Sequence, residues 1–88
     1  MLDKWYFEEL DNAMKKGSQN GKIYSDVIQE DFNLRYRITF VPTKEGLKVF
    51  FISKTLDEGT WDWSTAEYRG MIYWNEMPKE YENKIRAK

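Results

Sequence analysis

The stretch from Leu34 to Lys54 restricts the fold more than any other part of the chain. Leu34, Tyr36, Ile38 and Phe40 alternate with Arg35, Arg37 and Thr39, the period-two pattern of a strand with one buried face. Pro42-Thr43-Lys44-Glu45-Gly46 supplies turn residues, and Leu47 to Lys54 returns as a second strand. Pairing 41 with 48, 39 with 50, 37 with 52 and 35 with 54 gathers the apolar residues on one side. That side holds Leu34, Tyr36, Ile38, Phe40, Leu47, Val49 and Phe51. A one-residue slip would turn one strand's apolar set to the opposite face, so the pattern selects this register. Such a hairpin is not stable alone in water, and the flanking segments have to cover it.

Those segments have the required character. Residues 2–16 read as an amphipathic helix, with Leu2, Trp5, Tyr6, Leu10, Ala13 and Met14 in one stripe. Asp3, Glu8, Glu9 and Asp11 precede Lys15 and Lys16, in the sense that suits the helix dipole, and Gly17 is a stop. Ser18-Gln19-Asn20-Gly21 is a turn by composition. Residues 22–29 form a weaker strand, expected antiparallel to 34–41. Residues 66–74 read as a fourth strand, with helix the alternative for part of them, and Gly70 marks a bulge or a close backbone approach. Pro78 suits the start of a short helix in which Met77, Tyr81 and Ile85 recur every four residues. The expected fold is α+β over residues 1–88 as one domain. An N-terminal amphipathic helix and a short C-terminal helix pack on a three- to four-stranded antiparallel β-sheet.

Composition narrows the function. The 88 residues include four tryptophans, six tyrosines and five phenylalanines, but no cysteine and no histidine. Thiolate and imidazole nucleophiles, bases and metal ligands are therefore excluded, as are disulfides. Rings supply contact area for a core and for a binding face. No apolar run approaches the roughly 20 residues that span a bilayer, and Met1-Leu2-Asp3-Lys4-Trp5 is an amphipathic start rather than a secretory leader. With no cysteine, the expected location is the cytoplasm. The net charge of −1 conceals a basic middle. Residues 33–54 carry Arg35, Arg37, Lys44, Lys48 and Lys54 against Glu45 alone, while both flanks are acidic.

Two surfaces emerge as candidates. The outward face of the hairpin presents Arg35, Arg37, Lys48 and Lys54 around Phe50 and Ile52, and cations interleaved with a ring suit single-stranded nucleic acid. The opposing reading has Phe50 and Ile52 covered by a helix or a second subunit, with the cations at the rim. The second surface is Asp57-Glu58-Gly59-Thr60-Trp61-Asp62-Trp63-Ser64. Trp61 and Trp63 around Asp62, with Asp57 and Glu58 nearby, would anchor a protein partner or stack on a sugar; alternatively one or both indoles fold back over the sheet as a lid on the small core.

Other chemistries have less behind them. Asp57, Glu58 and Asp62 could offer oxygen ligands to Mg²⁺ or Ca²⁺, but they do not match the twelve-residue calcium loop, so no metal and no cofactor is expected. Glu82-Asn83-Lys84 has the Glu-x-Lys spacing of some nucleases but sits on an expected helix, and no catalytic residue is assigned.

The expected function is thus non-enzymatic binding of another protein through Trp61, Asp62 and Trp63 with Asp57 and Glu58. Nucleic-acid binding by Arg35, Arg37, Lys48, Phe50 and Lys54 is the alternative, and a structural homo-oligomer, such as a homodimer, is the second alternative. In size and composition the chain resembles the small proteins of bacteriophages and mobile elements, many of which block a host enzyme or defence complex by occupying its surface. No motif carries that likeness.

Overall fold

The computed structural model describes residues 2–17 and 22–86. The expected turn at Ser18-Gln19-Asn20-Gly21 lies outside the described residues. Helix α1 (Lys4–Lys16) is followed by strands β1 (Ile23–Gln29), β2 (Leu34–Pro42), β3 (Gly46–Thr55) and β4 (Glu67–Tyr73), then by helix α2 (Lys79–Arg86). Single 3-10 turns stand at Glu30–Phe32, Trp63–Thr65 and Trp74–Glu76. The four strands form one antiparallel sheet in the order β1-β2-β3-β4, which is the α+β architecture expected. Among the described residues, no helix is long and apolar enough to cross a membrane.

The central register is the one that the alternation demands. Val41 pairs with Lys48, Thr39 with Phe50, Arg37 with Ile52 and Arg35 with Lys54. Ile38, Phe40, Leu47 and Val49 therefore share the inner face, where they meet Leu10 and Ala13 of α1 together with Ile23, Ile72 and Met77. Leu2, Trp5, Tyr6, Met14, Tyr81 and Ile85 pack around this cluster, so both helices lie on the same side of the sheet. Each fully buried aliphatic or aromatic side chain contributes about 1.5–3 kcal/mol, and this one cluster is what holds the small fold together.

Three local features fix how the layers meet. Asp3 caps α1 by accepting from the Trp5 amide at 2.9 Å, and Gly17 ends the helix at φ +79°. Glu9 is buried within the helix interface, where it accepts the Ser25 hydroxyl at 2.6 Å and ties α1 to β1. The apolar stripe gave no sign of this polar pair.

At the start of β3, Gly46 pairs with Tyr73 so closely that a Cβ would collide with the Ile72 carbonyl oxygen and lie 2.7 Å from Tyr73 Cα. Between the pairs Val49↔Gly70 and Phe50↔Tyr68 the register shifts, leaving Arg69 unpaired in a bulge. Arg69 caps the Phe51 ring at 4.6 Å on the inner side, while Tyr68 turns outward against Phe50 at 5.5 Å. The stretch at 66–74 is thus a strand, with helical geometry confined to the turn that begins at Trp74.

Candidate functional site on the outer face of the sheet

The helices leave the other side of the sheet to a single stretch of chain, the β3–β4 connection. By the strand pairings this outer face carries Tyr24, Asp26 and Ile28 from β1, and Arg35, Arg37, Thr39 and Val41 from β2. Lys48, Phe50, Ile52 and Lys54 follow from β3, then Tyr68, Met71 and Tyr73 from β4. All five residues proposed for nucleic acid (Arg35, Arg37, Lys48, Phe50 and Lys54) do stand on this one face. Their availability differs, however, and the β3–β4 connection decides it.

At one end the connection folds back over the sheet. Leu56 N–H donates to the Asn33 carbonyl at 3.1 Å, and Lys54 Nζ donates to the Glu58 carbonyl at 2.9 Å. The Trp61 ring lies 4.8 Å from Lys54 Nζ and 5.0 Å from the Arg37 guanidinium carbon. Arg37 is stacked on its other side against Tyr24 at 4.2 Å, and its Nε and Nη2 grip Asp26 at 2.7 and 2.9 Å. That hydrogen-bonded pairing raises the Arg37 pKa above its ordinary value, although partial burial opposes it. Lys54 is 9% exposed and Ile52 only 2%. The cover over Ile52 is thus the chain's own loop, in place of the helix or second subunit that the sequence suggested. Two of the five groups, Arg37 and Lys54, are engaged within the fold.

Asp62 separates the two indoles of the loop. Its Oδ1 accepts from Ser64 N at 3.1 Å and from Ser64 Oγ at 2.6 Å, fixing the 3-10 turn at Trp63–Thr65. Trp61 falls half-buried on the cationic pair, and Trp63 projects outward with its ring 6.3 Å from that of Trp61. Of the two tryptophans, Trp61 folds back over the sheet as a lid, whereas Trp63 stays exposed.

The acids have local duties. Glu58 Oε1 accepts from the Thr55 amide at 3.1 Å and the Thr55 hydroxyl at 2.9 Å. Hydrogen bonding from the Thr55 side chain, then from its own backbone amide and from Asn33, holds the exposed Asp57 carboxyl below the ordinary carboxylate range. Asp57, Glu58 and Asp62 do not converge, and no group of three acidic side chains placed to hold a metal occurs among the described residues. Glu82 lies on α2, where it pairs with Lys79 and Arg86 at 3.1 Å each.

At the other end the outer face is open. Tyr24, Arg37, Thr39, Val41 and Trp63, with Lys22 at the rim, line a groove of about 460 Å³. Trp63, Tyr68 and Tyr73 are 52%, 55% and 51% exposed, with Val41 and the half-buried Phe50 between them. Arg35 Nε and Thr39 Oγ1, both from the outer side of β2, are enclosed without a hydrogen-bond partner. Tyr24, Thr39, Phe50 and Tyr68 form one row across all four strands. From sequence, only Phe50 of that row has a binding role, because the alternation gives β1 and β4 no register. The signal was present: once the hairpin is fixed, inward placement of Ile23 and Ile72 turns Tyr24 and Tyr73 outward.

Rings, an aliphatic floor and a few cations make a surface suited to contact recognition. No protein-family model, curated protein or solved structure matches this chain, so the reading of this face stands on its geometry alone.

Proposed function

We propose that this chain is a non-enzymatic binding protein that docks on another protein through the open end of its outer sheet face, with Trp63 as the anchor. The observation that carries the reading is the placement of Trp63, Tyr68 and Tyr73, each about half exposed, on the side of the sheet away from both helices. Exposed rings on one face of a sheet favour association, and tryptophan and tyrosine dominate the energetic centres of protein interfaces. Asp62 beside Trp63 and Lys48 beside Phe50 provide charges of both signs at the rim, which would orient an encounter. An inhibitor of the type expected from the sequence would act by keeping a host enzyme's own ligand from the surface it covers.

The competing nucleic-acid reading needs Arg37 and Lys54 free for phosphates. Arg37 holds Asp26, and Lys54 lies under Trp61. The test is capture of partners from bacterial lysate on the tagged protein, with and without nuclease, beside a Trp63→Ala variant. A discrete protein retained after nuclease and lost with Trp63→Ala is the expected result. Capture that vanishes with nuclease, or that Trp63→Ala leaves intact, overturns the reading.

A further inference from the structure

The outer sheet face is rich in cations on a chain whose net charge is −1. The strands give it Arg35, Arg37, Lys48 and Lys54 against Asp26 alone, and Lys22, immediately before β1, borders its groove. Arg37 is neutralised by Asp26, and Lys54 is covered by Trp61. Lys22 and Lys48 are exposed and make no ion pair among the described residues. The acids of the β3–β4 loop are turned to donors of their own, Glu58 to Thr55 and Asp62 to Ser64.

Lys22 and Lys48 flank one apolar position. Lys48 pairs with Val41 from β3, while Lys22 borders the groove that Val41 lines from the side of β1. Strands β1 and β3 lie on either side of β2, so the two lysines are rooted about 10 Å apart, twice the spacing of neighbouring strands. Beside Val41 the groove of about 460 Å³ is walled by the Trp63 ring and has room for one bulky aliphatic side chain.

We propose that the open end of the outer face takes an extended acidic segment of the partner protein, running across the strands, in which one bulky aliphatic residue stands two residues from a carboxylate on either side. In an extended chain these three residues share a side, and the two acids are about 13 Å apart. Lysine side chains rooted about 10 Å apart can meet that span. The aliphatic side chain enters the groove against Trp63 and Val41, and the carboxylates reach Lys22 and Lys48. Single-stranded nucleic acid is a poorer occupant. Its phosphates call for a continuous line of cations, whereas an aliphatic floor separates these two. This inference rests on the reading of the face as a protein-docking surface and adds the chemistry of the segment that docks.

The test is a titration of the isotope-labelled full chain, followed by NMR. The probe is the acetylated, amidated peptide glutamate–serine–leucine–serine–glutamate, compared with the same peptide carrying glutamine at both ends. The glutamate peptide is expected to shift the Val41 amide and the Trp63 indole, and to bind about fivefold more tightly than the glutamine peptide. Raised salt should shrink that preference and Lys22→Gln/Lys48→Gln should remove it, while Trp63→Ala abolishes binding of both peptides. Equal binding of the two peptides at Trp63 overturns the acidic segment and leaves the docking surface standing. A preference that survives in Lys22→Gln/Lys48→Gln overturns it too, as does the absence of any shift at millimolar peptide; capture with Trp63→Ala then decides the docking surface separately. Oligothymidylate that shifts the same signals at lower concentration than the peptide overturns both, by making the occupant a nucleic acid. Shifts that grow with protein concentration without peptide overturn the acidic segment by making the occupant a second copy.

Discussion

Arg37 is held between the rings of Tyr24 and Trp61 while its guanidinium takes both oxygens of Asp26, so one side chain joins β1, β2 and the β3–β4 loop. The ion pair is largely shielded, with about a fifth of each side chain exposed, and its fork geometry is one that lysine cannot reproduce. Arg37→Ala is expected to cost about 2 kcal/mol, or roughly 10 °C in Tm. Arg37→Lys should recover only part of this. Asp26→Asn should be destabilising as well, because it leaves the cation without its counter-charge. Thermal unfolding of the three variants checks the point, and equal stability of Arg37→Lys and the parent protein would refute it.

The two tryptophans of the loop should separate cleanly by their roles. Trp61 covers Lys54 and Arg37, whereas Trp63 projects from the turn that Asp62 fixes. Trp61→Ala is expected to lower stability by about 2 kcal/mol, since it removes half-buried ring area and the cover over two cations. Trp63→Ala should change stability by less than about 0.5 kcal/mol. Urea denaturation of both variants measures the difference. Similar losses in the two would mean that Trp63 is structural and would also weaken its assignment as an anchor.

How far the sequence foretold this arrangement follows from where a repeating pattern existed. The alternation through Leu34–Lys54 carried its own register, because only one pairing keeps both apolar sets on one face, and the observed pairs agree with it. The helix stripe likewise placed Leu10 and Ala13 in the core. The loop at 56–66 has no period, so nothing in Trp61-Asp62-Trp63 says which ring turns inward. That choice rests on tertiary contacts with Arg37 and Lys54, supplied by other strands. Glu9 was hidden for a related reason. A carboxylate in an amphipathic helix reads as solvent-facing until its partner Ser25 is brought beside it by a strand sixteen residues away.

Two glycines of similar sequence context should respond oppositely to alanine. At Gly46 a Cβ would strike backbone atoms of Ile72 and Tyr73, which cannot move without breaking the β3–β4 pairing. Gly46→Ala should therefore cost about 3 kcal/mol or more. Around Gly59, in the loop, a Cβ meets nothing within 4 Å. Gly59→Ala should be neutral or stabilising by up to about 1 kcal/mol, through the lost freedom of the unfolded chain. Denaturant midpoints for the pair give the comparison, and tolerance of Gly46→Ala would mean that the approach of β4 to β3 is looser than described.

Tyr81 links the two helices and should give the fold an alkaline signature. Its hydroxyl donates to Asp11 Oδ1 at 2.8 Å across 70 residues of sequence. That hydrogen bond to Asp11, reinforced by loss of solvent and by the negative charges of Asp11 and Glu80, pushes the phenol up to about 12 from its ordinary 10.0. A raised value means that the folded state holds the proton more tightly than the unfolded state. The contribution of Tyr81 is therefore complete below pH 10, falls as the pH climbs from 10 toward 12, and is absent above that. Ultraviolet difference titration of the folded protein should show one of the six tyrosines ionising near pH 12. Asp11→Asn removes the opposing charge and should bring that late tyrosine back toward 10 while flattening the loss of stability between pH 10 and 12. If no tyrosine lags in the parent protein, or if Asp11→Asn leaves the lag unchanged, the Tyr81–Asp11 contact does not join α1 to α2 in solution.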